Sequence, residues 1–370
     1  MGWLRLLGII LPLIFIMPHA WGEEPVKVAV ILSKSGKVAY SNLKHLNAIR
    51  MAVEEINQNG GVLGKKIELL EIDNKSSASH SKIAAQKAVA ENSIAVIGAA
   101  WSSHSLAMAP VLQQAGLPMI SYYSTNPKVT QVGDYIFRAC FMDLFQGEVL
   151  AKFAQQDLGA KKIIILTNVS DQYSIGLSRI FKENLNTHAV FEGSYLQGDT
   201  DFSALLEKVK GYEADLIFLP GHTKDSGRII KQARNMGINA PFLGGDGWGL
   251  KMYKYGGQAI EGNYYSTHWH KDINTPQNQR FVKNFTILYG TPESNGSALA
   301  YDSVYLLADA IKRAGSLDRK QIRDALAETR DFKGATGTIR FNNNGDPQKS
   351  AVLLKFQDGG SVYFRTIDPS

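Results

Sequence analysis

Residues 26–32 read Val-Lys-Val-Ala-Val-Ile-Leu. Residues 43–57 then place Leu43, Leu46, Ile49, Val53 and Ile56 at helical spacing, and Asn59-Gly60-Gly61 precedes a second β-type run at 66–72. A short β-branched run reads as a strand, and apolar residues three and four apart put one greasy stripe on a helix. Asparagine and glycine accept the left-handed backbone that ends a helix. This strand–helix–strand unit predicts a parallel sheet, because two parallel strands need a long crossover between them.

The unit recurs outward along the chain. Strands are expected at 94–97, 118–121, 162–167, 189–196, 215–219 and 242–243. Helices are expected at 77–92, 103–115 (opened by Ser102), 145–157, 174–185, 202–210 (capped by Asp201) and 224–236. Alternation of this kind, sustained over two runs of ordinary domain size, predicts an α/β fold of two doubly wound parallel-sheet lobes. After Ile260 the pattern changes to one strand, then helices at 276–289, 297–314 and 319–329, then strands at 337–341, 351–356 and 361–365. The late helices need a sheet to cover and the late strands need a sheet edge. The helices are therefore expected to return to the first lobe and the strands to the second, with three crossings between lobes. The division is 23–143 plus 271–334 for the N-terminal lobe and 144–270 plus 335–370 for the C-terminal lobe.

Residues 1–22 carry Arg5, an apolar stretch from 6 to 17 broken by Gly8 and Pro12, and Ala20-Trp21-Gly22 before Glu23. A positive start, a short apolar centre and a small-residue exit describe a cleaved secretory signal. The stretch is short of the roughly 20 residues that span a bilayer. The expected product is a soluble, exported protein in the periplasm. Cys140 is the single cysteine, so no internal disulfide can form and the core must hold the fold. A chain of this length buries enough apolar surface to do so. Its 40 Lys plus Arg against 34 Asp plus Glu are spread thinly, with no clustered basic face of the sort that binds nucleic acid.

Motifs for catalysis fail. Gly60-Gly61-Val62-Leu63-Gly64-Lys65-Lys66 is one residue short of a phosphate loop, lacks the following Ser or Thr, and precedes a strand, so it reads as a turn. No Gly-x-Ser-x-Gly elbow occurs, and nothing around Cys140 marks a nucleophile. His268-Trp269-His270, taken as part of a strand, puts two imidazoles on one face without an obvious third metal ligand and reads as a solvated or interface pair. No cofactor or metal is expected.

In open parallel sheets ligands bind beyond the carboxyl ends of the strands. Those positions hold Trp101-Ser102-Ser103, Tyr123-Ser124-Thr125, Tyr173, His222, and Asp246 between Gly245 and Gly247, followed by Trp248. Hydroxyls and backbone N–H groups at a helix start hold a carboxylate without a cation, because the helix end already carries positive potential. Ser102 or Ser103 could instead merely cap its helix. Asp246 offers a carboxylate to an ammonium group, or turns to water in an Asp-Gly turn. Tyr173, His222 and Trp248 supply flat walls. Donors on one lobe and an acceptor on the other suit a zwitterionic amino acid.

The chain resembles the periplasmic branched-chain amino-acid (Leu/Ile/Val-type) binding proteins of ABC importers, of the type I fold. The resemblance rests on Glu55-Ile56-Asn57 with Gly60-Gly61-Val62-Leu63-Gly64, Val96-Ile97-Gly98 with Ser102-Ser103, and Asp199-Thr200-Asp201-Phe202. It continues through Gln232-Ala233-Arg234-Asn235-Met236-Gly237 and Gly334-Ala335-Thr336-Gly337-Thr338-Ile339-Arg340-Phe341. It implies two lobes with the ligand in the cleft, Ser102 and Thr125 on its carboxylate, backbone groups of Tyr123 and Ser124, Tyr173 beside it, and Asp246 on the ammonium. Membrane permease subunits are the implied partners and the protein itself is expected to be a monomer. Trp101 stands where relatives can carry Cys, Tyr123 replaces a small residue and His222 replaces an aromatic one. Those departures can shrink or polarise the side-chain pocket, so the resemblance does not by itself assign leucine, isoleucine or valine as the ligand. A sensory ligand-binding module, a binder of aromatic acids or amides, and an exported enzyme using Asp246, His222 or Tyr173 are the competing readings.

Overall fold

The computed structural model describes residues 24–292 and 294–368; the expected signal segment at 1–22 lies outside them. Strand β1 (Val26–Leu32) is buried along nearly its whole length, the condition of a strand covered on both faces. Val28 and Val30 point into one core layer and Ala29 and Ile31 into the other, so the two-residue period feeds both faces. Fully burying each Val or Ile contributes about 1.5–3 kcal/mol, which explains the β-branched run.

The first sheet adds β2 (Ile67–Asp73), β3 (Ala95–Gly98), β4 (Met119–Ser121) and β5 (Ile136–Arg138) in the order β2-β1-β3-β4-β5, all parallel. The second contains β6 (Ile163–Asn168), β7 (Phe191–Tyr195), β8 (Leu216–Phe218), β9 (Phe242–Gly244) and β10 (Tyr264–Thr267). These run parallel in the equivalent order β7-β6-β8-β9-β10. The hairpin β11 (Phe332–Gly334) and β12 (Gly337–Ile339) stands apart from both sheets. Strands β13 (Ala351–Gln357) and β14 (Gly360–Ile367) extend the second sheet antiparallel from β10.

Helices Pro276–Tyr289, Asn295–Ala314 and Arg319–Ala327 pack into the core of the first sheet, through Phe281, Leu299, Ile311 and Leu326 among others. Glu55 on helix Ala39–Gln58 fastens the first two of them. It accepts hydrogen bonds from Tyr301 (2.6 Å), Tyr305 (2.6 Å) and Asn284 (2.7 Å). The chain thus crosses between lobes after β5, after β10 and before β13. Gly337–Ile339 was expected in the second lobe with the last strands. It packs instead on the first, because Asp302 of the returning helix takes the N–H groups of Ala335 (2.7 Å) and Thr336 (2.8 Å) and holds the hairpin there. Ile339 and Phe341 are buried in the first lobe's core.

Two local expectations also shift. Helix Ser102–Gln114 is opened by Trp101 in extended conformation, so Ser102 is its first helical residue and not its cap. His268 lies beyond the end of β10, where the period-two geometry that would align it with His270 no longer holds.

Candidate functional site

Both sheets aim strand ends at a cleft of about 310 Å³ between the lobes. In a 2-1-3-4-5 sheet the crevice opens between the first and third strands, where the chain leaves to opposite sides. Trp101 and Ser102 follow β3, and Tyr40 and Ser41 sit on the helix that follows β1. Tyr173 and His222 follow β6 and β8 in the other lobe. All six line the cleft, as do Tyr123, Asp246 and Trp248.

The hydroxyls of Ser102 and Ser103 do not cap their helix. Ser102 Oγ accepts the Asn126 N–H at 3.4 Å, and Ser102 borders the cleft with the first turn of the helix behind it. That turn supplies N–H groups without intrahelical partners and positive potential. Ser103 reaches across to the second lobe and donates to Asp171 Oδ1 at 2.9 Å. Asp171 Oδ2 in turn meets His222 Nε2 at 3.0 Å, and the His222 ring stacks on Trp101 with centroids 3.7 Å apart. Burial opposes the charge on Asp171, but the His222 and Ser103 hydrogen bonds outweigh it and hold the carboxyl below its ordinary range. The carboxylate therefore stands between hydroxyl and imidazole. A nucleophilic serine needs the imidazole on the hydroxyl itself, so this trio is a bridge between lobes.

Asp246 is the one acidic side chain among the described residues lining the cleft. Gln146 donates to its Oδ1 at 2.9 Å and accepts its backbone N–H at 2.9 Å, while Oδ2 meets His268 Nε2 at 2.8 Å. A carboxylate has about four lone-pair sites, so these two contacts leave room for a ligand donor. The flanking glycines are forced by packing. A Cβ on Gly245 would fall 2.4 Å from the Tyr173 hydroxyl, and one on Gly247 2.6 Å from the Gly221 carbonyl. Tyr173 accepts the Gly247 N–H at 3.2 Å. Tyr123 reaches over from the first lobe, its hydroxyl on the Asp246 carbonyl and 2.6 Å from Asn295 Oδ1. Burial, then the Asp246 charge, hold both phenols well above the ordinary tyrosine range, so they stay protonated.

Three of the expected residues do not line the cleft: Ser103, Ser124 and Thr125. The guanidinium of Arg138 is fully buried behind the loop after β4 and draws that loop's carbonyls inward, donating to Ser124 O at 2.7 Å and to Asn126 O at 3.0 Å. Ser124 Oγ is spent on Ser105 (2.8 Å) and Ala99 O (3.2 Å). Thr125 is fully buried, with its carbonyl on the Asp143 N–H at 2.9 Å. The reading of His268 as solvated is also corrected. Its side chain has no exposure, and its ring lies 3.6 Å from that of Phe141.

Sequence reasoning missed Tyr40, Ser41, His45, Lys251, Asn295 and Trp269, which also border the cleft. Tyr40 and Ser41 had a signal, since they follow the carboxyl end of β1 at the crevice. Asn295 begins the returning helix Asn295–Ala314, and nothing local to it marks a ligand. Among the described residues, no group of three or more His, Cys, Asp or Glu converges as metal ligands, and no helix is long and apolar enough to cross a membrane.

The family model described as periplasmic binding protein matches residues 25–361. The Leu/Ile/Val-binding protein BraC3 of Rhizobium johnstonii is 27% identical over 91% of this chain and 93% of its own length. Among solved structures, the leucine binding protein LivK of Thermotoga maritima is 36% identical with a TM-score of 0.89, covering 93% of this chain and 99% of that one. The isoleucine complex of the branched-chain amino acid transporter substrate binding protein LivJ from Streptococcus pneumoniae is 31% identical with a TM-score of 0.89, covering 94% and 100%. With the family model spanning nearly all the described residues and these relatives alike along their whole length, the chain belongs to the periplasmic binding protein family, beside its branched-chain amino-acid binders.

Proposed function

We propose that this chain is the solute-binding protein of an ABC importer, exported to the periplasm by residues 1–22, and that it closes its two lobes on an amino acid or a close analogue. The carrying observation is the pairing of Asp246 on one lobe with the first turn of helix Ser102–Gln114 on the other, across one cleft. A zwitterion placed there meets an acceptor at its ammonium end and N–H donors at its carboxylate end. Bridging the lobes favours the closed form, and a membrane permease would read that closure. No bond is broken: the Ser103–Asp171–His222 order supports binding and not nucleophilic chemistry.

The test is a thermal-shift panel of the protein amino acids, their amides and simple aromatic acids. A ligand held at about 1,000 times its Kd raises stability by about 4 kcal/mol, which is a clear shift in Tm. Asp246→Ala is expected to abolish the response to amine-bearing ligands. A panel in which only an aromatic acid responds, with Asp246→Ala unchanged, overturns this reading.

A further inference from the structure

His268 is the contact of Asp246 that the cleft itself does not require. It comes from the second crossing between lobes, one residue past β10, and its Nε2 sits 2.8 Å from Asp246 Oδ2 with no solvent exposure on the imidazole. Phe141 covers one face at 3.6 Å between centroids, and the Tyr123 ring stands steeply inclined to it at 5.5 Å between centroids. Its other nitrogen, Nδ1, is buried without a hydrogen-bond partner. A proton on Nδ1 would be a buried donor with nothing to donate to, so the neutral ring carries its proton on Nε2 and gives it to the carboxylate.

We propose, on the amino-acid reading above, that His268 is a positioning residue for the ligand's ammonium site: neutral, it fixes Asp246 for the ligand, and protonated, it competes with the ligand for the same carboxylate. Ligand is then released as the surroundings acidify. The competition follows from charge alone. An imidazolium 2.8 Å from Oδ2 and a ligand ammonium on the same group are like charges in a poorly solvated site. Linkage is reciprocal, so ligand binding drives the proton off His268 by the factor with which the proton weakens the ligand.

The groups facing His268 set the direction. Burial lowers its affinity for a proton most, Asp246 raises it and the buried Lys349 lowers it, with a net value below the ordinary histidine range. Asp143, on the far side of Gln146, is pushed up to about 8 by burial and by Asp246, and so is uncharged at the acid end. The transition in affinity therefore lies on the acid side of the ordinary histidine value. His222 and His270 also border the cleft, so a variant must isolate His268.

The experiment is calorimetric titration of the full mature chain with the twenty protein amino acids at about pH 8, followed by the tightest of them at falling pH. It compares the wild type with His268→Gln, whose amide donates to Asp246 but takes no proton. In the wild type Kd is expected to rise by up to about ten-fold per pH unit below the transition, the limit for one linked proton. His268→Gln is expected to bind within a few-fold of the wild type at about pH 8 and to lose that acid weakening. Should the variant fail to fold, the His268 ring-proton resonance of the wild type carries the test, its titration midpoint falling when ligand binds. Equal pH profiles in the two proteins, or a midpoint unmoved by ligand, overturn the inference alone. No amino acid binding at about pH 8 overturns the amino-acid reading and this inference with it.

Discussion

Ser103 of the first lobe donates its hydroxyl to Asp171 of the second at 2.9 Å, and does so outside the cleft lining. The contact ties one lobe to the other away from the cleft lining, so it favours the arrangement in which the lobes meet without touching ligand. A hydrogen bond to a charged partner is worth about 1.5–3 kcal/mol. Ser103→Ala is therefore expected to weaken every ligand by the same factor, about ten-fold or more, because apparent affinity scales with the closed population. Calorimetry over several ligands checks this: a change in their ranking would place Ser103 in the ligand site instead.

Gly245 predicts a coupled pair. An added Cβ meets the Tyr173 hydroxyl at 2.4 Å and Gln146 Oε1 at 2.7 Å, and Gln146 is what holds Asp246. Gly245→Ala is expected to cost about 1–3 kcal/mol of stability, as overpacking does, and to weaken amine-bearing ligands further. Tyr173→Phe removes the closest atom, so the double variant should recover part of the stability. Urea unfolding of the two single variants and the double variant decides it, and strict additivity would mean that the clash lies elsewhere.

What could be read from the chain follows periodicity and strand ends. The buried β1 repeat announced a parallel sheet, and the polar ends of β3, β8 and β9 announced Trp101, Ser102, His222 and Asp246 as neighbours of one cleft. Ser124 and Thr125 look the same in sequence, yet face Arg138 and Asp143, because the direction of a loop carbonyl depends on a cation fourteen residues away from Ser124. His268 and Asn295 depend on where distant crossings land, and no local pattern encodes that. Hairpin β11–β12 escaped for the same reason: its anchor, Asp302, belongs to a helix that precedes it by a full segment.

Arg138 itself makes the third prediction. It is fully buried, pairs with Asp346 at 2.6 Å, and ties β5 to the segment that leads into the third crossing. Removing one member leaves the other charge buried alone, at a cost of about 3–5 kcal/mol. Arg138→Met or Asp346→Leu alone is expected to show that loss in denaturant unfolding. The joint replacement should be less destabilised than the two losses summed, since no orphan charge remains. A double variant losing the full sum would show that the pair contributes by packing alone.

Asp143 supplies a signed pH effect. It is fully buried, and burial, then the charge on Asp246, push its carboxyl from 3.8 up to about 8. Between those values the folded chain holds a proton that the unfolded chain has released. Stability contributed by this group is whole below the unfolded value and is lost as pH rises toward the folded one, at about 1.4 kcal/mol per pH unit. Asp143→Asn keeps the shape of the protonated acid and cannot ionise, so it should flatten the decline of unfolding free energy between about pH 5 and pH 8. The gain over the wild type should grow with pH in that window, because the wild type increasingly strains to keep its proton. Urea midpoints measured at several pH values read this directly. A wild type and variant whose curves run parallel would show that Asp143 is ionised in the folded state, balanced by the Arg138 guanidinium nearby.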